Sequence, residues 1–300
     1  MQPDYVDICG EKAVKIMELP QLGLLEISGK DAARFLQGQL TCDVNEVDEA
    51  NTRLGAHCTP KGRIVATFRI ARRAESFYLL LPRSMIERLQ TTLQKYVKFF
   101  KASLTDLSST WQSLGLEGFT DQIPFPTESN GAITSEEGFI IRVPGRSRFL
   151  IVGEKDWIAQ QRTALLNSAQ LVDSEHWMVL DIEAGFPSIL PETQDMFTPH
   201  DLSYPDLGGI SFTKGCYTGQ EIIARMQYLG KPKQKLYRVS IAGDPPTPGT
   251  TLYSGDQEVG TIVIAYRVSA AGSEGLAVLR NEVVLEKKGV YTEEGHAVKV

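Results

Sequence analysis

LGGISFTKGCYTGQEIIARMQYLGK, residues 207–231, is the stretch that decides the fold. Within it, TGQE (218–221) fits a capping box, so we predict a helix that begins at Thr218 and runs through Met226. The unpaired N–H groups of a helix start carry partial positive charge, and Lys214 is two residues from Cys216. Both effects stabilise a thiolate, which favours a reactive Cys216. The same spacing also fits a small buried cysteine in a tight turn, where burial would raise the pKa of the thiol.

Upstream of this stretch, a helix is followed by a long polar loop at 185–211. We expect the helix from about residue 174 to 184, with Asp173 as its cap. Trp177 lies on the apolar face of this helix, which is ordinary core spacing, but an indole also offers a stacking surface to a flat heteroaromatic ligand. Glu183 lies near the helix end, where the dipole disfavours an anion. It therefore indicates either an external partner or a surface salt bridge.

The N-terminal half alternates between short apolar strands and amphipathic helices. Residues 53–58 and 63–70 are apolar runs joined by TPKG (59–62), which predicts a β-hairpin. Ser84 is expected to cap a helix that reaches about Val97. Strand-like runs and a further helix recur after residue 106, so the pattern predicts an α+β fold class with two units of similar makeup.

The sequence changes character near Leu236, where short strands alternate with Gly/Pro turns. This pattern is typical of an all-β module, and we predict a small barrel. We therefore divide the chain into a first α+β subdomain at 1–105, a second α+β subdomain at 106–234 and a C-terminal β-barrel module at 235–300.

The composition fits a cytoplasmic protein. The chain has 300 residues, 42% of them hydrophobic, and its net charge of -6 argues against a globally basic nucleic-acid binder. No apolar run approaches the length needed to span a membrane, and the N-terminus shows no secretory signal. The cysteines, at 9, 42, 58 and 216, form no CxxC pair, so we expect reduced thiols and no metal site.

KGCYTGQE (214–221) resembles the signature of the YgfZ family of folate-dependent iron–sulfur proteins. The blocks that also resemble the family, in order and spacing, are ISGKDAARFLQGQLTCDV (27–44), HCTPKGRI (57–64) and WMVLDIEAGFP (177–187). The resemblance implies the folate-binding fold of the aminomethyltransferases, with two α+β subdomains around a central channel and a closing β barrel. It also implies functional roles for Lys214 and Cys216, and leaves open whether Cys216 attacks, ligates or senses redox state.

The resemblance further implies tetrahydrofolate or a derivative as the ligand. LDIEAG (180–185) resembles the aminomethyltransferase stretch whose glutamate binds the pterin, which assigns Glu183 to the paired N–H donors of that ring. A family tryptophan implicated in folate binding falls at Trp177. A second family tryptophan falls at Leu22, so one wall of the expected pocket differs here. A basic run beginning at Arg225 can hold the glutamate tail of folate, bind a phosphate backbone or form a solvated loop. Its other members are Lys231, Lys233, Lys235 and Arg238.

Two positions shortly after the glycine of the hairpin turn separate two functions. The aminomethyltransferases carry an Asp-Asp pair where this sequence has Ala66 and Thr67, which removes the carboxylate that would manage the folate proton and disfavours aminomethyl transfer. The resemblance instead implies an accessory protein for assembly or repair of iron–sulfur enzymes. Its partners would be folate and clients such as the radical-SAM methylthiotransferases of tRNA. The alternatives are a folate-dependent one-carbon transferase, direct carriage of a cluster, and a tRNA-binding module, which the net charge of -6 opposes.

Overall fold

Strands dominate the structure, a computed structural model that describes residues 14–230, 232–269 and 272–300. Cys9 and Lys231, both considered above, lie outside the described residues. The strands are β1 (Val14–Glu18), β2 (Leu22–Ser28), β3 (Arg53–Cys58), β4 (Ile64–Arg73), β5 (Ser76–Pro82), β6 (Ser103–Asp106), β7 (Trp111–Glu117), β8 (Ala132–Thr134), β9 (Gly138–Val143), β10 (Arg148–Glu154), β11 (Ala169–Val172), β12 (Gln234–Ala242), β13 (Thr251–Ser254), β14 (Gln257–Ser269), β15 (Gly272–Arg280), β16 (Val290–Thr292) and β17 (Ala297–Lys299). The helices are α1 (Ala32–Gln37), α2 (Ile86–Val97), α3 (Lys155–Leu165), α4 (Ser174–Glu183), α5 (Gln220–Leu229) and α6 (Asn281–Leu285).

These strands form two open sheets and one closed barrel. The first sheet has the order β3-β4-β5-β2-β6, and the second has the order β11-β1-β7-β10-β9-β8. The closed barrel runs β12-β15-β14-β13-β16-β17, which confirms the module predicted from the C-terminal turns. The predicted hairpin is confirmed as β3 and β4, which pair antiparallel up to Cys58 opposite Ile64.

The two open sheets pack face to face, and the alternation of side chains along β4 shows how. Phe68 and Ile70 point into the core that β4 shares with helices α1 and α2. Arg69 and Ala71 point the other way, toward the second sheet, because successive strand residues face opposite sides. A second apolar core fills the space between the sheets, and Leu24, Tyr78, Leu80, Trp111, Phe139, Leu150 and Trp177 belong to it.

Two details differ from the expectations. Strand β1 precedes residue 105 but lies in the second sheet, parallel to β11 and antiparallel to β7. Ser84 does not cap α2, because the chain makes a 3₁₀ turn over Arg83–Met85 and the helix begins after it. In the described part of the chain, no helix is both long and apolar enough to cross a bilayer.

Candidate functional site

A cavity lies between the two open sheets, at the end of the apolar core they share. Its volume is about 100 Å³. The first sheet contributes Leu22, Thr67 and Arg69 to its wall. The second sheet and α4 contribute Arg148, Trp177 and Asp181, and the polar loop after α4 contributes Pro187 and Tyr204. This cavity corresponds to the expected central channel.

Trp177 is positioned by the helix cap that the sequence predicted. The Asp173 side chain accepts from the backbone N–H of Glu175 at 2.8 Å and fixes the start of α4. The indole is 3% exposed and packs over Gly115, where a Cβ would lie 2.4 Å from the ring. It therefore fits only because β7 has no side chain at that point.

Arg148 and Asp181 form a buried ion pair beside this indole. The Arg148 side chain is 1% exposed, and its Nη1 donates to Asp181 Oδ1 at 2.8 Å. The guanidinium carbon lies 5.0 Å from the centroid of the Trp177 ring. Burial raises the pKa of Asp181 despite the opposing effect of Arg148. Trp177 thus packs against the cationic member of the pair.

Arg69 places a second buried cation in the same cavity. It is 7% exposed, and its Nη1 donates to Thr52 Oγ1 at 2.9 Å and to Asn130 Oδ1 at 2.7 Å. Burial, with a further contribution from the charge on Arg148, lowers the pKa of Arg69 to about 10. Its hydrogen-bond acceptors are neutral, so its charge has no carboxylate partner among the described residues.

Glu183 lies on a different side of α4. Its carboxylate is within 3.7 Å of Arg146 and within 3.8 Å of Arg238 of the barrel strand β12. It is not among the residues that line the cavity, where the carboxylate is Asp181. Asp181 is four residues after Trp177, and this spacing places the two side chains on one helical face.

Leu22 borders the cavity on one side and an adjoining groove on the other. The groove leads from Leu22 and Asp181 to Ile264 and Tyr266 on barrel strand β14. It is lined mainly by apolar side chains, including Met178 and Leu190. The cavity and the groove therefore meet at Leu22 and Asp181.

Thr67 occupies one of the two positions that were compared with the Asp-Asp pair of the aminomethyltransferases. Its Oγ1 accepts from the backbone N–H of Ile189 at 3.1 Å, and Ala66 is fully buried in the core on the opposite face. This part of the wall holds a hydroxyl that is already bonded, so it has no carboxylate to take up a proton.

Lys214 is directed into the first subdomain, where its ammonium group has backbone partners. It is 8% exposed, and its Nζ donates to the carbonyl oxygens of Leu40 at 2.9 Å and Cys42 at 2.7 Å. The ammonium also lies 5.2 Å from the Tyr217 ring centroid. Desolvation lowers the pKa of Lys214 to about 8. These contacts anchor the loop to the first sheet and give no hydrogen bond to Cys216.

Cys216 is the exposed one of the three described cysteines, whereas Cys42 and Cys58 are buried. Burial raises the pKa of the Cys42 thiol to about 12. Of the described thiols, Cys216 is the one that solvent reaches. Neither Lys214 nor Cys216 lines the cavity between the sheets.

The predicted capping box at Thr218 is wrong. The N-cap of α5 is Gly219, with φ +85° and no side-chain cap. A Cβ at Gly219 would lie 2.6 Å from the carbonyl oxygen of Thr59, so the loop reaches the hairpin turn only with glycine here. Thr218 instead lies near Gly38, with its Oγ1 3.5 Å from that carbonyl oxygen.

Three described members of the basic run have different surroundings. Arg225 is exposed on α5 and does not line the cavity. Arg238 is tied to Glu183 and Glu274, and Lys235 lies over the Tyr237 ring. Among the residues assigned from the sequence, the structure therefore brings Trp177 and Leu22 together in the cavity, and places Glu183, Arg225, Lys214 and Cys216 outside its lining.

Arg69 and Arg148, which line the cavity, were not among the site residues predicted from the sequence. The available signal was Arg69, the single charge within the apolar run IVATFRIA (64–71), because charged side chains are rarely buried without a partner. Arg148 gave no comparable local signal. Among the described residues, no group of three His, Cys, Asp or Glu side chains is placed to hold a metal ion.

Comparisons with known proteins agree with this architecture. The GCVT N-terminal domain model matches residues 10–120, and the CAF17 C-terminal beta-barrel domain model matches residues 233–300. The chain is 36% identical over 236 residues to a tRNA-modifying protein YgfZ of Hamiltonella defensa, covering 74% of this chain and 68% of the relative. It is 32% identical over 303 residues to the protein of the same name in Photorhabdus laumondii, covering 95% of this chain and 90% of the relative.

A solved structure with the same architecture is the glycine cleavage system aminomethyltransferase T from Bartonella henselae. It aligns with a TM-score of 0.77 at 18% identity, over 96% of this chain and 85% of the other. This likeness establishes the fold, and it confirms the α+β class with an aminomethyltransferase-like arrangement.

Proposed function

The chain belongs to the YgfZ family of tRNA-modifying proteins, and from this premise we propose that it is a cytoplasmic, folate-binding accessory protein for the assembly or repair of iron–sulfur enzymes. Its effect on tRNA is indirect and passes through clients such as the radical-SAM methylthiotransferases. The observation that carries the proposal is the cavity between the sheets, which combines an indole, a carboxylate and two guanidinium groups in an aminomethyltransferase-like fold.

The cavity residues fit a folate. Arg148 Nε is buried without a hydrogen-bond partner, which leaves a donor open to an acceptor atom of a ligand. Asp181 retains 26% side-chain exposure, and its carboxylate suits the N–H donors of the amino-pyrimidine edge. When bound, a reduced folate supplies the one-carbon and redox chemistry of its pterin ring. In this proposal Asp181, and not Glu183, receives the pterin edge, and the groove past Leu22 takes the rest of the molecule.

Aminomethyl transfer is not part of the proposal. The wall of β4 offers Thr67, whose hydroxyl already accepts from a backbone N–H, where a proton-managing carboxylate would be needed. The chain's residues therefore bind and orient the folate and exclude water from its ring.

The first experiment is a tetrahydrofolate titration followed by tryptophan fluorescence or calorimetry. Trp177→Ala and Asp181→Asn should weaken binding at least tenfold, because they remove the wall and the carboxylate of the cavity. Glu183→Gln is the matched control, a carboxylate on the same helix outside the cavity, and it should bind like the wild type. Equal affinity in all four proteins would show that folate does not occupy this cavity.

We propose that Cys216 acts in the support of iron–sulfur enzymes and not in folate binding, because its thiol is exposed to a partner and does not line the cavity. In cells that lack the protein, Cys216→Ala should fail to restore the activity of iron–sulfur enzymes. Thr213→Ala, an exposed change in the same loop, should restore it. Full rescue by Cys216→Ala would remove this thiol from the function.

A further inference from the structure

The cavity between the sheets carries more buried positive charge than negative charge. Its titratable lining residues are Arg69, Arg148, Asp181 and Tyr204. Asp181 pairs with Arg148 at 2.8 Å, whereas Arg69 donates only to neutral acceptors. Burial raises the pKa of Tyr204, so its phenol stays neutral and supplies no balancing charge. One cation therefore remains uncompensated where burial of an unpaired charge costs several kcal/mol.

A second observation concerns the donors of Arg148, which lines the same cavity. Arg148 is 1% exposed; its Nη1 donates to Asp181 and its Nη2 donates to the carbonyl oxygen of Pro144 at 2.8 Å. Its Nε has no partner. Buried donors are almost always satisfied, so this N–H points to an acceptor that the chain does not provide.

We propose that the cavity binds the pterin ring of its folate as the anion, with the ring 4-oxo oxygen held by Arg69 and Arg148 and the 2-amino group by Asp181. The inference rests on the proposed function and adds the charge state of the ligand. On binding, the ring amide gives up its proton to water, no other bond changes, and the bound ring brings the cavity to neutrality.

The pterin edge fits this arrangement better than the glutamyl tail of the same molecule. After the ring amide has lost its proton, the edge still carries the 4-oxo acceptor and the N–H donors of the 2-amino group, which match two guanidinium groups and one carboxylate. A glutamyl carboxylate offers acceptors only, so it would leave Asp181 without a donor from the ligand.

The test is an absorbance titration of folic acid, free and bound to the full chain, because loss of the ring amide proton changes the pterin spectrum. Two fixed cations close to the ring should lower the midpoint of this ionisation by about one to three pH units relative to free folic acid. Arg69→Gln should remove most of the shift, whereas Arg69→Lys should retain part of it. Arg146→Gln removes a 61% exposed arginine outside the cavity and should leave the shift unchanged.

The outcomes separate the two proposals. If folic acid binds but its midpoint equals that of the free compound, the anionic ring is refuted and folate binding stands. If neither folic acid nor tetrahydrofolate binds, both proposals fail. Competition by p-aminobenzoylglutamate as strong as that by folic acid, and dependent on Arg69, would place the tail at the cations and overturn the assignment.

Discussion

The loop anchor made by Lys214 predicts an unusual dependence of stability on pH. The ammonium group is buried against the carbonyl oxygens of Leu40 and Cys42, and desolvation lowers its pKa from 10.5 to about 8. Replacing it in Lys214→Met removes the titrating group and keeps a side chain of similar length. The difference in unfolding free energy between wild type and variant should therefore change with pH.

The sign follows from proton binding. Because the folded pKa lies below the unfolded one, the unfolded chain binds more protons between pH 8 and 10.5, and stability rises with pH across that window. For a pKa that falls from 10.5 to about 8, linkage gives a gain of about 2 kcal/mol from pH 7 to pH 9.5. Solvent at the loop surface screens part of this effect, so we expect about 1 to 2 kcal/mol.

Urea unfolding of both proteins at pH 7, 8, 9 and 9.5, followed by circular dichroism, measures the difference directly. Other groups titrate equally in the two proteins and cancel. Lys30→Met, which removes an exposed lysine, is the matched control. A difference for Lys214→Met that does not change with pH would refute the claim that this ammonium is desolvated in its anchor.

Further predictions concern two glycines with close neighbours and the exposed thiol. Gly115→Ala places a Cβ 2.4 Å from the Trp177 ring, so it should lower the unfolding free energy by about 1–3 kcal/mol and weaken tetrahydrofolate binding, as measured by urea unfolding and titration. Gly219→Ala should cost about 1–3 kcal/mol because of its φ of +85° and a carbonyl oxygen 2.6 Å from the new Cβ, whereas Gly215→Ala, with open space around it, should stay within about 0.5 kcal/mol. Cys216→Ser should remove one thiol from those that a water-soluble reagent labels in the native protein, and an unchanged count would contradict the exposure of this residue.

Local sequence patterns predicted those helices and strands that are determined by residues close together in the chain. The hairpin of β3 and β4 follows from a Pro/Gly turn between apolar runs, and α4 follows from the side chain of Asp173 at its start. The barrel strands carried the same kind of signal. In each case the residues that decide the structure are neighbours in the chain, so their effect can be read from spacing.

Most residues of the cavity could not be predicted from local patterns, because their partners lie far apart in the sequence. Arg148 meets Asp181 across 33 residues, and Lys214 meets Leu40 across 174. The signal that distinguished Asp181 from Glu183 was its spacing of four residues from Trp177, which places both side chains on one face of α4. The contacts of Lys214 with the first subdomain had no such local signal, because their partners lie far away in the sequence.

The place of strand β1 has a consequence for synthesis on the ribosome. Val14–Glu18 emerges before any strand of the first sheet, but it lies between β7 and β11, which are made much later. The first sheet can close while this segment waits without neighbours, and only the arrival of Ala169–Val172 completes the parallel pairing. The cavity between the sheets therefore comes into being late in translation, because Trp177, Asp181 and Tyr204 of its lining are made after residue 169.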